Sequence, residues 1–126
     1  MPLLHHELCF GCGRTNLFGL LLEVEEVAPG AVAGRCFIKQ DHQGADGGRA
    51  HEGVLASALV EAMALACGVD ARAVSFGVSL KSSAPVGAYL EVEAWVESRD
   101  GHLANARATV TADRRVVAQA RGSFRS

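Results

Sequence analysis

The chain has 126 residues, of which 49% are apolar and 21% charged, so it can bury one core but is too short for two ordinary domains. We therefore expect a single domain over residues 1–126. The formal net charge of -2 excludes the large positive field that binding to a nucleic-acid backbone requires. The N-terminus has no basic and apolar leader, no apolar run is long enough for a bilayer, and four cysteines are too few for a disulfide scaffold. These features predict a cytoplasmic protein without a nucleic-acid or membrane partner.

The first part of the chain alternates between apolar and polar residues. Residues 20–26 and 32–39 have β-type character, and Pro29-Gly30 between them predicts a hairpin turn. Residues 41–50 are glycine-rich and polar, which does not suit the interior of a strand or a helix. This stretch is predicted to be a loop.

A helix of about four turns is predicted next. Residues 53–67 are rich in Ala, Leu and Met without an interior Gly or Pro, and Gly68 stands where a C-terminal cap belongs. Only Ser57 and Glu61 interrupt its apolar surface, so the helix should be covered on nearly every side.

The second half of the chain supplies the cover. Four further strands are predicted at residues 74–81, 90–98, 103–112 and 116–124, with hairpins at Asp100-Gly101 and Asp113-Arg114. Strands, one buried helix and then a meander of strands describe an α+β domain whose antiparallel sheet curls around a helix.

One polar stripe crosses the predicted helix. Gly53, Ser57 and Glu61 follow one another at four-residue spacing and therefore lie on one helix face. Burial of the Glu61 carboxylate would raise its pKa and suit it to act as a base or nucleophile if a cleft reaches it. Two alternatives stay open, namely an ion pair with an arginine and a position at a subunit contact.

The segment His51-Glu52-Gly53 begins the helix, where free backbone N–H groups and the positive end of the helix dipole can stabilise an oxyanion. Glycine at position 53 lets a carbonyl approach the backbone. The alternative is that Gly53 only permits the turn into the helix and that His51 is an ordinary loop histidine, which is the better interpretation of His51 taken alone.

Several motifs together resemble the hotdog-fold acyl-CoA thioesterases of the phenylacetate-pathway type, in the hydroxybenzoyl-CoA thioesterase-like superfamily. They are His42-Gln43-Gly44, His51-Glu52-Gly53-Val54-Leu55-Ala56, Glu61-Ala62-Met63, Pro85-Val86-Gly87 and the N-terminal Cys9-Phe10-Gly11-Cys12-Gly13. The chain departs from the family pattern in two places. Glu52 replaces the middle glycine of the usual His-Gly-Gly, and the usual acidic residue, nine positions after the histidine, falls on Val60, so that Glu61 aligns with its neighbour.

The resemblance implies a hotdog fold, with a curled antiparallel sheet wrapped around one long central helix, and hydrolysis of an acyl-CoA thioester. Glu61 would be the general base or nucleophile and the Gly53 amide the oxyanion donor, with Gln43 and Ser75 positioning the carbonyl and the water. His51, which begins the helix motif, is also among the implied catalytic residues. The substrate-binding residues implied or suggested by position are His42, Ser57, Lys81, Ser82 and Ser83. The resemblance also implies a homodimer or a dimer of dimers, and no cofactor is expected.

The alternative function is a non-catalytic hotdog module that binds an acyl-CoA or another apolar ligand. Val60, in place of the family acid, favours this interpretation. A hydratase of the same fold is a weaker third hypothesis, because the His and Asp pair that it needs cannot be assembled from this sequence.

The N-terminal segment also has a spacing that zinc could use. His6, Cys9 and Cys12 are three residues apart, with His5 as a possible fourth ligand. A structural zinc site usually shows two separated ligand pairs, and one isolated pair is a weak signal. We therefore expect no metal, and we interpret the cysteines as small, partly buried apolar residues.

Overall fold

Alternating apolar and polar residues form six strands, and the long apolar stretch between the second and third forms a helix. The computed structural model describes residues 1–126. In chain order the elements are β1 (Glu23–Ala28), β2 (Ala31–Phe37), a 3-10 turn (Gln40–His42), α1 (Glu52–Cys67), β3 (Arg72–Leu80), β4 (Tyr89–Asp100), β5 (Leu103–Ala112) and β6 (Arg115–Arg125).

The six strands form one antiparallel sheet in the order β1-β2-β4-β5-β6-β3, and α1 packs against it. The predicted hairpins at residues 29–30, 100–101 and 113–114 join the expected strands. The prediction of an α+β hotdog fold is confirmed.

The core lies between α1 and the concave face of the sheet. Leu59 and Met63 of α1 are fully buried, as are Leu90 and Val92 of β4. Burial of each such side chain contributes about 1.5 to 3 kcal/mol relative to exposure. Every second residue of β5 from Ala104 to Ala112 is buried and small, except Val110, which lets the helix approach this strand closely.

The first strand begins later than the sequence predicts. The amides of Leu20 and Leu22 donate to the carbonyls of Phe10 and Gly11 at 2.8 and 2.9 Å, and Leu21 has a φ of 53°. These backbone groups therefore hold the N-terminal segment, and pairing with β2 starts only at Glu23.

The helix is covered unevenly. Residues 62–67 are all buried, whereas Glu52 and Gly53 are exposed and Ser57 and Val60 are half-buried. The expectation of cover on nearly every side therefore holds for the second half of α1 but not for its beginning. No helix of the structure has both the length and the hydropathy needed to cross a bilayer.

Candidate active site and the cysteine cluster beside it

The glycine-rich loop folds back on itself just before α1. Gln43 forms a β-bridge with Ala50, and the amide of His51 donates to the carbonyl of His42 at 2.8 Å. The side chain of Gln43 braces the loop, because its Oε1 accepts from the Gly48 amide at 2.6 Å and its Nε2 donates to the Gln40 carbonyl at 2.9 Å. These pairings fix where the helix begins.

His51 caps the start of α1. Its Nδ1 accepts a hydrogen bond from the Gly53 amide at 2.7 Å, which satisfies one of the free N–H groups of the first turn. The amide that the sequence suggests as an oxyanion donor is thus already paired. A substrate carbonyl can use it only after the His51 ring turns away.

A cavity of about 270 Å³ lies next to this turn. Lys81, Ser82 and Ser83 line one side, and Arg49 and Glu52 line the other. The three residues that the sequence suggests for the nucleotide end of CoA therefore share a cavity with the first residue of α1.

The other predicted site residues lie apart from this cavity in the single chain. Ser75 is exposed on β3 at the edge of the sheet, where it lines a depression with Arg121 and Ser123. His42 is buried beneath the loop, and Ser57 makes no side-chain hydrogen bond within the chain.

Glu61 lies against the N-terminal segment and forms no ion pair with an arginine. Its Oε2 is 2.8 Å from His5 Nδ1, and the Cys9 thiol donates to the same oxygen at 3.3 Å. The His5 and Glu61 side chains are only 11% and 13% exposed, and the other ring nitrogen of His5 is buried without a hydrogen-bond partner. Glu61 Oε1 makes no hydrogen bond within the chain.

Backbone geometry brings the segment close to this carboxylate. A Cβ atom at Gly11 would lie 2.3 Å from Glu61 Cδ and 2.6 Å from Oε1, so only glycine leaves room for the side chain. The Gly13 amide closes a turn onto the Cys9 carbonyl at 2.9 Å. The glycines of the Cys-Phe-Gly-Cys-Gly motif thus have a steric role.

Cys12 completes the group. Its Sγ is 3.5 Å from His5 Nδ1 and accepts a hydrogen bond from the His5 amide at 3.2 Å. Burial raises the pKa of the Cys12 thiol to about 12, and the neighbouring Glu61 carboxylate adds to the rise. Cys36 lies outside the group, where burial alone raises the pKa of its thiol to about 12.

The ligand atoms of His5, Cys9, Cys12 and Glu61 all lie within 4.8 Å of one another. This cluster corrects two expectations from the sequence. The histidine involved is His5, whereas His6 Nδ1 accepts from the Leu8 amide at 3.2 Å. Cys9 and Cys12 belong to a polar cluster, and only Cys36 and Cys67 behave as isolated buried thiols.

A second cavity of about 280 Å³ adjoins the cluster, with His5, Val60, Glu61, Arg72 and Phe124 in its wall. The position of the missing family acid, Val60, therefore opens on the same space as Glu61. Nothing in the sequence alone indicated that the N-terminal segment would form part of this wall.

Several solved structures are similar in fold to this chain. A mutant form of the phenylacetic acid degradation protein PaaI from Thermus thermophilus is 27% identical, with a TM-score of 0.76 over 82% of this chain and 91% of that one. A phenylacetic acid degradation-related protein from Ralstonia eutropha is 17% identical, with a TM-score of 0.78 over 85% and 86%. The chain has the hotdog fold of the PaaI-type thioesterases.

Zebra fish thioesterase superfamily member 2 gives the same picture at 23% identity, with a TM-score of 0.74 over 82% of this chain and 80% of that one. No protein-family model matches the sequence, and no curated protein matches it. The resemblance noted in the sequence is thereby confirmed through structural neighbours of the PaaI type.

Proposed function

We propose that the protein binds an acyl-CoA at the beginning of α1 and hydrolyses its thioester. The observation that carries the proposal is the cavity of about 270 Å³ that Lys81, Ser82 and Ser83 share with Glu52. A cation with two hydroxyl groups suits the phosphates of CoA, and a helix N-terminus suits a developing oxyanion. The phosphates of a CoA thioester could thus contact Lys81, Ser82 and Ser83 while its carbonyl lies at the N-terminus of α1.

In the proposed reaction, water adds to the thioester carbonyl, and the tetrahedral oxyanion collapses to the free acid and the CoA thiolate, which is then protonated. Glu61 takes the proton of the water as general base. In the alternative route, its carboxylate attacks the carbonyl, expels the CoA thiolate and forms a mixed anhydride, which water then hydrolyses to the free acid and the restored carboxylate. Its Oε2 is held by His5 and Cys9, which leaves Oε1 for this role. The Gly53 amide binds the oxyanion once the His51 ring has moved, and Gln43 orients the substrate.

The proposal requires a second copy of the chain. Gly53 and Glu61 are eight residues apart on one helix, or about 12 Å along its axis, so they cannot both act on one carbonyl within a single chain. A facing copy can bring one chain's Glu61 to the other's His51 to Gly53 turn, and can contribute Ser75 from β3.

The edge strand β3 suits such pairing. Its Val74, Phe76 and Leu80 are each about half exposed, whereas the opposite edge strand, β1, presents charged glutamates. An uncovered strand with apolar side chains invites a second chain. The proposed assembly is a homodimer or a dimer of dimers in a reducing, cytoplasmic location, since all four cysteines are free. A monodisperse monomer at micromolar concentration would contradict this assembly.

The second candidate is a module that binds an acyl-CoA without hydrolysing it. Two observations favour it: Val60 stands where the family carries its acid, and the Glu61 carboxylate is already engaged by His5 and Cys9. In that case the cavity at the helix start binds the ligand, and no carboxylate attacks it.

Release of free thiol from a panel of acyl-CoAs separates the two candidates. If hydrolysis is correct, the wild type turns over at least one substrate, and Glu61→Gln abolishes turnover while the fold is retained, because the amide keeps the shape and loses the charge. If the wild type binds acyl-CoA but does not hydrolyse it, and Val60→Asp introduces turnover, the binding module is the correct function. Normal hydrolysis by Glu61→Gln would refute the role of Glu61.

A further inference from the structure

The cluster formed by His5, Cys9, Cys12 and Glu61 has the donor set of a zinc site. Two thiols, an imidazole nitrogen and a carboxylate oxygen are ligands that Zn²⁺ takes in tetrahedral sites. The sulfur donors disfavour Mg²⁺ and Ca²⁺, which prefer oxygen, and an iron–sulfur cluster usually needs four thiolates. The chemistry of the cluster therefore selects zinc.

The distances between donors also fit. Zinc bond lengths of about 2.0 to 2.3 Å imply separations of about 3.3 to 3.8 Å between the corners of a tetrahedron. His5 Nδ1 is 3.7 Å from Cys9 Sγ and 3.5 Å from Cys12 Sγ, and Glu61 Oε2 is 3.3 Å from Cys9 Sγ. The shortest separation, 2.8 Å between His5 Nδ1 and Glu61 Oε2, is that of a direct hydrogen bond, and it need widen by only a few tenths of an ångström.

The backbone around the donors is arranged as a ligand loop. The His5 amide donates to Cys12 Sγ at 3.2 Å and so holds this sulfur beside the His5 ring. The turn from Cys9 to Gly13 brings the two sulfurs to one side, and Gly11 leaves the space that the Glu61 side chain occupies. Four ligands from two distant parts of the chain are thus already assembled.

We propose that His5, Cys9, Cys12 and Glu61 bind one structural zinc ion that fastens the N-terminal segment to the middle of α1. This segment, residues 1–22, has no helix or strand, and Leu8, Leu17 and Phe18 are largely exposed. A metal adds a cross-link to α1 beside the apolar contacts of Cys12, Leu20 and Leu22, which are buried in the core, and its binding releases the thiol protons to solvent. The ion takes Oε2 of Glu61, so the site goes beyond the proposed hydrolysis and does not depend on it. A zinc-bound carboxylate is a weaker base and nucleophile than a free one, so a filled site favours the second candidate function, the binding module.

The test is the zinc content of the full chain, purified without a polyhistidine tag and passed through a desalting column. Elemental analysis by inductively coupled plasma mass spectrometry should find one zinc per chain. Replacement by Co²⁺ should give the visible absorption bands of a tetrahedral site together with sulfur-to-cobalt charge transfer. The readout does not involve acyl-CoA, so its failure and the failure of the proposed function are distinguishable.

Cys9→Ser and Cys12→Ser should each lose the zinc and the charge-transfer bands, whereas Cys67→Ser, which removes a buried thiol outside the cluster, should retain both. Should the serine variants fail to fold, Glu61→Gln serves in their place and should release zinc to a competing chelator at a concentration that leaves the wild type loaded. The proposal is overturned if the wild type binds less than a tenth of an equivalent, if Cys9 and Cys12 form a disulfide in the protein purified under reducing conditions, or if Cys67→Ser loses zinc as the cluster variants do.

Discussion

The two polar ends of the stripe on α1 are built in opposite ways. Around Gly53 the polar groups are exposed, and their partners are near in sequence: His51 caps Gly53 from two residues away, and Gln43 holds Gly48 from five. Around Glu61 the polar groups are nearly buried, and their partners, His5 and Cys9, are 56 and 52 residues away.

This difference separates two kinds of site. Local hydrogen bonds between exposed groups exchange readily with those of a ligand, so the beginning of the helix can open for a substrate. Buried polar atoms must keep their partners, because leaving one unpaired costs about 1 to 3 kcal/mol. The Glu61 end therefore serves to hold the chain together, and any chemistry there is limited to the oxygen that the cluster leaves free.

Removal of zinc should produce the largest effect, and only at the Glu61 end. Incubation with a chelator should lower the free energy of unfolding by about 4 kcal/mol if free zinc had been about a thousandfold above its Kd. Below the melting temperature, binding of CoA to the cavity beside Glu52 should change little. Calorimetric melting with and without chelator checks the first statement, and titration with CoA checks the second. An unchanged melting temperature would show that zinc does not stabilise the Glu61 end of the stripe, and the proposed difference from the Gly53 end would be wrong.

Gly11→Ala should have the next largest effect. The new Cβ would collide with the carboxylate group of Glu61, and overpacking of this kind typically costs about 1 to 3 kcal/mol. We expect a lower melting temperature and weaker zinc retention. Gly47→Ala is the matched control, since a Cβ at this loop position meets no atom within 4 Å. Equal melting temperatures for the two variants would show that a Cβ atom at position 11 does not destabilise the protein and that its collision with Glu61 is relieved without cost.

The sequence predicted what depends on local pattern. Alternation along residues 90–98 and 103–112 located β4 and β5, and the long stretch rich in Ala, Leu and Met located α1 to within one residue. It did not predict that His5 rather than His6 would meet Cys12. Neighbouring residues point in different directions, and the choice between them depends on a helix more than fifty residues further along the chain. The late start of β1 has a similar cause, since the Leu20 amide is taken by Phe10, which no local pattern reveals.

The candidate site divides in the same way. Lys81 to Ser83 and the first turn of α1 were recognisable from the sequence, and the fold brings them to one cavity. The environment of Glu61 was not recognisable from the sequence, because a helical stripe indicates which side chains share a face but not which segment covers that face. The covering segment has no periodicity that would have placed it there.

Lys81→Met should have the smallest effect, and only at the open end. The lysine is exposed at the rim of the cavity, where an ion pair with a phosphate contributes about 0.2 to 1 kcal/mol. The KM for an acyl-CoA should therefore rise by up to about fivefold with kcat nearly unchanged. The difference from the wild type should shrink at high ionic strength, because salt screens exposed charges.

Lys39→Met is the control for this variant, since it removes the same charge from the only other lysine, whose Nζ donates to the Leu17 carbonyl away from the cavity. Zinc content and melting temperature should be the same in Lys81→Met and the wild type, because no residue of the cavity touches the cluster. The CoA phosphates do not contact this rim if Lys81→Met leaves KM unchanged at low salt, or if Lys39→Met raises KM equally. The assignment of the cavity as the CoA site would then lose its support, which is the match between Lys81 and the phosphates.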